Sequence, residues 1–152
     1  MAATKDQIIA NLQKAYSMEV ETVMNYLANS LDLEGVRAEF IKQALATDIQ
    51  EEMGHAQQLG NRIKQLGGTI PGSLALTFGQ KSLQPPKDST DVLTVIKGVL
   101  QAEEEAIAQY NSLIKLTDGV DYVTQDLAIT LLGQEEAHRQ QFEGYLKEYM
   151  KK

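Results

Sequence analysis

The chain of 152 residues contains no cysteine, no tryptophan and only three prolines. Without thiols it can form no disulfide, no thiolate zinc or iron–sulfur site and no cysteine nucleophile. Proline is confined to Pro71, Pro85 and Pro86, so long stretches on either side can run as unbroken helix. No run of 18 uncharged apolar residues is present, which excludes a conventional membrane-spanning helix and makes a membrane partner unexpected. The opening Met1-Ala2-Ala3-Thr4-Lys5-Asp6 lacks the apolar segment of a secretory signal, and a cytoplasmic location is the expectation. Positive charge is scarce as well: 14 Lys and Arg stand against 21 Asp and Glu, a net charge of −7. The basic residues are scattered, so no nucleic-acid partner is expected, whereas cations are attracted.

What is present is helical pattern. With 43% hydrophobic residues the chain fits a single domain spanning residues 1–152. Gly67-Gly68 and the prolines mark 67–89 as one irregular crossover between two long proline-free blocks. Each block is broken once, at Asp32-Leu33-Glu34-Gly35 and at Thr117-Asp118-Gly119-Val120. This predicts four helices, near residues 5–31, 36–66, 90–116 and 121–150. Thr4 with Gln7 forms a capping box for the first, and Ser89, Thr90 and Asp91 offer caps for the third. Helices more than twice the usual length of about 11–12 residues favour an all-α bundle.

Each helix carries one glutamate at the centre of an apolar face. Glu19 lies among Ile8, Leu12, Ala15, Tyr16, Val23 and Tyr26; Glu52 among Ile41, Leu45, Ala56, Leu59 and Ile63. Glu103 is framed by Ile96, Val99, Leu100, Ala106, Ile107 and Tyr110, which selects it over Glu104 and Glu105, and Glu135 by Ala128, Leu131, Leu132 and Phe142. The only two histidines each follow a glutamate by three positions, in Glu52-Met53-Gly54-His55 and Glu135-Glu136-Ala137-His138. The echo continues through Gln57-Gln58-Leu59 and Gln140-Gln141-Phe142, so the chain contains an internal repeat.

Register follows from the turns. In an antiparallel hairpin, residues at equal height lie symmetrically about the turn. The midpoint of 19 and 52 falls at Gly35 and Val36, and that of 103 and 135 at Gly119. Both pairs therefore face each other roughly 24 Å from their turns, and four carboxylates and two imidazoles meet at one level. Unpaired, such burial would cost several kcal/mol per carboxylate, and no Lys or Arg lies on these faces. Two divalent cations would neutralise four glutamates, with one imidazole nitrogen for each. The candidate ligands are Glu19, Glu52, His55, Glu103, Glu135 and His138, and oxygen-rich ligation with one imidazole per metal suits iron or manganese. Tyr26 and Tyr110, each seven residues after its helix's glutamate, are candidates for a redox or hydrogen-bonding role beside the site.

At these residues the chain resembles the bacterioferritin and ferritin-like di-iron family, over nearly its whole length: Glu19, Glu52-Met53-Gly54-His55, Ala102-Glu103-Glu104, Asp121-Tyr122-Val123 and Glu135-Glu136-Ala137-His138. The resemblance implies an up-down four-helix bundle with a long crossover between the second and third helices. It also implies a ferroxidase centre that oxidises Fe(II) with dioxygen or peroxide, with Glu52 and Glu135 bridging and Tyr26 as the family's tyrosine beside the centre. Met53 stands where bacterioferritins ligate haem between two subunits. The chain stops at Lys152, without the short fifth helix used in large cages, and Thr47 and Gln134 occupy places where some relatives put iron-handling residues. Starved-cell DNA-binding proteins place their metals between subunits and lack this intra-bundle set, and rubrerythrins add a cysteine-ligated iron domain absent here. Outward apolar residues such as Val36, Phe40 and Leu127 point to a homodimer or larger homo-oligomer. Ferroxidase ranks first; a small di-iron or di-manganese oxidoreductase and a non-catalytic metal-stabilised binding module are the alternatives.

Overall fold

In the computed structural model, which describes residues 1–151, four long helices run α1 Lys5–Asp32, α2 Glu39–Gln65, α3 Val92–Thr117 and α4 Tyr122–Tyr149. Among the described residues there is no strand, and a single 3-10 turn, Ser73–Ala75, interrupts the crossover. Helices of 26 to 28 residues are about 39–42 Å long. None is long and apolar enough to cross a membrane.

Local chemistry starts and stops these helices. Thr4 Oγ1 accepts from the Gln7 backbone N–H while Gln7 Oε1 accepts from that of Thr4, a reciprocal cap for α1. Asp91 and Asp121 cap α3 and α4 through the N–H groups of Thr94 and Thr124. Gly35 and Gly119 turn the chain with φ of 102° and 70°, values a side chain rarely tolerates. α2 begins at Glu39 rather than near 36, because Val36–Ala38 close a turn onto the Gly35 carbonyl. α3 begins at Val92 rather than 90, because Asp88 holds Thr90 in a local turn and Asp91 takes the cap.

α1 pairs with α2 and α3 with α4 as antiparallel hairpins, and the hairpins meet mainly along α1 and α3. The interior consists of two apolar clusters. One, at the 33–38 end, holds Tyr26, Ile41, Leu45, Ile96, Val99 and Phe142; the other holds Leu12, Leu59, Ile63, Tyr110, Leu113 and Leu131. The buried Glu19, Glu52, His55, Glu103, Glu135 and His138 form a polar layer between them. Of the apolar residues expected to face outward, Val36 and Phe40 do so, at 96% and 55% exposure. Leu127 does not: it is half-buried against the second cluster, because α4 turns that position towards the bundle interior.

The crossover is fastened to α1 by a stripe of polar residues spaced four apart. Gln13 donates to the Thr69 carbonyl and Ser17 to that of Thr77; Glu21 accepts from the Gly79 and Gln80 N–H groups; Asn25 donates to the Gln80 side chain and Asn29 to the Leu83 carbonyl. Where the crossover reaches α3 it lies directly on Gly98, and a Cβ at that position would stand 2.3 Å from the Ser82 carbonyl oxygen. The Gly98→Ala protein is therefore expected to lose about 1–3 kcal/mol, the overpacking outweighing alanine's better helix propensity. A denaturation midpoint equal to or above the parent's would contradict this close approach.

Candidate metal centre

The layer is built from two helical motifs and two single glutamates. In α2 and α4, three-residue spacing puts Glu52 and His55, and Glu135 and His138, on one side of each helix. Glu19 of α1 and Glu103 of α3 complete the set from the opposite hairpin halves, and all six residues are at most 5% exposed. Of the three consecutive glutamates on α3 only Glu103 is buried; Glu104 is exposed and pairs with Arg139 at 3.2 Å.

Donor atoms gather in two overlapping groups. Glu19, Glu52, His55 and Glu135 form one, and Glu52, Glu103, Glu135 and His138 the other, with the donor atoms of each group within 4.8 Å of one another. Glu52 and Glu135 belong to both. His55 Nδ1 lies 2.9 Å from Glu135, 3.4 Å from Glu52 and 3.6 Å from Glu19. His138 Nδ1 lies 3.2 Å from Glu52, 3.6 Å from Glu135 and 3.7 Å from Glu103. The two imidazole rings are 6.4 Å apart and inclined by 25°. Three buried atoms here, Glu52 Oε1, Glu103 Oε2 and His138 Nδ1, have no hydrogen-bond partner; the 3.2 Å between the first and last is not aligned as a bond. Orphaned donors and acceptors converging in a buried layer are costly unless a further group satisfies them.

The electrostatics reflect this crowding. Burial pushes the Glu52 carboxyl up, the Glu19 charge pushes it further, and it reaches about 8. Burial and the Glu19 and Glu52 charges likewise raise Glu135 well above the usual carboxylate range. Burial would also raise Glu19, but hydrogen bonds from Glu52, His55 and Tyr110 overcome it and hold the group near 2. Burial opposes protonation of both imidazoles, yet the surrounding glutamates win and raise both far above the ordinary histidine value.

Tyr26 and Tyr110 enter from opposite apolar clusters. The Tyr26 hydroxyl donates to Glu103 at 2.7 Å and the Tyr110 hydroxyl to Glu19 at 2.5 Å. Burial, with the neighbouring carboxylate charges, raises both phenols well above their usual value, so both stay protonated as donors. Met53 is on the far side of α2, 43% exposed, beside a surface groove of about 500 Å³ between α1 and α2. Thr47 is exposed and bonded to the Gln43 carbonyl. Gln134 has a role unforeseen from sequence: its side-chain oxygen lies 2.6 Å from His55 Nε2. Asp48 and Glu51 were missed too. Glu51 is 2.8 Å and Asp48 4.0 Å from His138 Nε2. The available signal was helical spacing, since Asp48 lies four residues before Glu52 on the same face.

A cavity of about 670 Å³ connects solvent to the layer. Its inner wall includes Glu19, Glu52, Glu103 and Glu135, and the crossover supplies its roof through Thr77 and Gln80.

The family model for ferritin, a ferritin-like domain, matches residues 9–151. The chain belongs to the ferritin-like family, and its fold and buried carboxylate–histidine layer support an iron-binding role of the ferritin type. It is 28% identical to the DNA protection during starvation protein of Pyrococcus furiosus, over 93% of this chain and 77% of that one. Among solved structures it resembles a dodecameric thioferritin, the bacterioferritin-related protein of Bacteroides fragilis, at 26% identity and TM-score 0.81 over 97% and 88% of the two chains. A ferritin-like di-iron-carboxylate protein of Bacillus anthracis shares the fold at TM-score 0.83 and 21% identity, over 96% of this chain and 99% of that one.

Proposed function

We propose that the chain is a di-iron ferroxidase: Glu19, Glu52, His55, Glu103, Glu135 and His138 hold two iron ions, and Fe(II) is oxidised there with dioxygen or peroxide. The observation that carries this reading is the pair of overlapping donor groups sharing Glu52 and Glu135. Shared glutamates have the two oxygens needed to serve both metals, while Glu19 with His55 and Glu103 with His138 serve one each. The orphaned Glu52, Glu103 and His138 atoms are the positions a cation would satisfy, so the residues fit the metals. Bound iron would supply the redox capacity that oxidises Fe(II) at the expense of dioxygen or peroxide. The chain's own contribution is to keep the donors oriented and shielded on two sides. The Tyr26 and Tyr110 hydroxyls fix the Glu103 and Glu19 carboxylates, and the two apolar clusters exclude water on either side. The cavity under the crossover admits Fe(II) and the small oxidant to the carboxylates.

Charge balance without metal comes from protons. Burial and the crowded carboxylates raise the proton affinity of His55, His138, Glu52 and Glu135, so uptake of two dications is expected to displace protons from these groups. Affinity then rises with pH as these groups lose their protons, Glu52 among them near 8. Calorimetric titration with Mn(II) in buffers of different ionisation enthalpy counts the protons, and binding without proton release would refute this scheme.

Assembly is proposed as at least a homodimer, supported by the exposed Met24, Leu27, Leu31 and Met53 along the outer α1–α2 face; a strictly monomeric species in sedimentation would exclude it. Haem at Met53 would belong to that same face. The size of the 670 Å³ cavity, far beyond what dioxygen fills, favours one second reading, an oxidoreductase acting on a small substrate at the same centre with iron or manganese. Titrating the metal-free protein with Fe(II) in air, with particle size followed, separates the two. Uptake of tens of irons per chain in a large shell supports iron storage. Saturation at about two per chain with continuing peroxide consumption supports the oxidoreductase. Binding without oxidation by either oxidant would refute both.

A further inference from the structure

The two halves of the donor set are near mirror images, and the residues behind them are not. In each motif the residue immediately before the glutamate reaches across to the histidine of the other motif. Glu51, preceding Glu52, lies 2.8 Å from His138 Nε2; Gln134, preceding Glu135, lies 2.6 Å from His55 Nε2. These are equivalent positions of the internal repeat, yet one is a carboxylate and the other an amide. The repeat is broken a second time one turn earlier. Asp48, four before Glu52, is buried 4.0 Å from His138 Nε2, whereas its counterpart four before Glu135 is the apolar Leu131. Asp48 Oδ2 has no hydrogen-bond partner. The outer nitrogen of His138 thus faces two acidic groups, and that of His55 a neutral amide.

On the two-metal reading above, we infer that the metal positions are inequivalent, with Glu51 and Asp48 making the His138 position the tighter and Gln134 leaving the His55 position the looser and more readily exchanged. A carboxylate accepting the outer N–H of an imidazole makes the inner nitrogen a stronger donor, and its charge stabilises a dication held there. An amide oxygen orients the ring equally well but contributes only a dipole. The tyrosines bond Glu103 and Glu19 in matching ways, so these two hydrogen bonds do not set the halves apart. Glu51 and Gln134 are positioning residues here, acting through the histidines they hold. Outer partners of this kind typically change metal affinity about 10–100-fold.

The test uses anaerobic titration of the metal-free full chain with Co(II), read by calorimetry and by the visible spectrum of the bound ion. The parent protein is expected to bind two ions in steps separated by at least about tenfold. The looser ion should leave first when chelator is added. Glu51→Gln should weaken the tight step by about 10–100-fold and Gln134→Glu should strengthen the loose one by a similar factor, each bringing the steps together. The Glu51→Gln, Gln134→Glu double variant should restore the separation with the positions exchanged. His55→Ala made in the parent should keep the tight step, and made in the double variant should lose it. Far-ultraviolet circular dichroism checks whether each variant keeps its helices. Two indistinguishable steps in the parent, or steps unmoved by both single exchanges, would overturn the inequivalence while leaving the two-metal reading intact. Failure of the parent to bind two Co(II) would overturn both.

Discussion

The His55→Ala protein is expected to bind one metal ion where the parent binds two, and to oxidise Fe(II) at least about a hundredfold more slowly. His55 is the only imidazole in its donor group, at 1% exposure, and no other nitrogen donor there can replace it. Loss of one ion removes several kcal/mol of charge stabilisation, and each 1.36 kcal/mol is tenfold in rate. His138→Ala should behave alike from the other half of the site. Stoichiometry is measured by anaerobic titration and oxidation by stopped-flow absorbance; two bound Fe(II) with an unchanged rate in the His55→Ala protein would remove this histidine from the ligand set. The Tyr110→Phe exchange is a useful contrast. It removes only the 2.5 Å bond to Glu19, so both ions should still bind while the rate falls by a smaller factor.

Metal loading should also raise the melting temperature strongly. A ligand present at 100 times its Kd stabilises the folded state by about 2.7 kcal/mol, so two sites together give roughly 5 kcal/mol. In a domain of this size each kcal/mol is worth about 2–4 °C, which predicts a shift of roughly 10–20 °C. The shift depends on pH in a definite direction. Glu52 has its folded pKa raised to about 8 from 4.5, so the metal-free fold is progressively destabilised as pH rises from 4.5 towards 8. Glu19, held near 2, contributes stability above 4.5 that disappears only as pH falls towards 2. Cations bind the deprotonated carboxylates, so the gap between loaded and metal-free melting temperatures should widen from pH 5 to pH 8. Scanning calorimetry with and without Mn(II) checks this; a gap that narrows over that interval would contradict the assignment of Glu52 as a buried, proton-sharing ligand.

Much of this is written in one-dimensional spacing. Absence of proline from two long blocks, the Thr4–Gln7 cap and the glycines at 35 and 119 determine where helices can run and turn. Turn midpoints then set the height of Glu19 against Glu52 and Glu103 against Glu135, because helical rise and hairpin symmetry leave no freedom once the turns are placed. The three-residue step to His55 and His138 orients the imidazoles for the same reason.

The partners of those groups were decided by tertiary structure. The stripe of Gln13, Ser17, Glu21, Asn25 and Asn29 has a visible four-residue period, but only packing shows that its bonds go to the crossover and so roof a cavity at the site. Leu127 is apolar on either reading, and the rotation of α4 alone makes it a half-buried core residue. Above all, sequence shows that Glu51 and Gln134 precede equivalent glutamates, and says nothing of where their side chains end. They cross between α2 and α4 to the histidine of the opposite motif, a pairing set by the distance and rotation between two helices some 80 residues apart in the chain. Short-range periodicity determines which residues face inward; which inward-facing group touches which depends on helix rotation and separation, and those follow from the packing of the whole bundle.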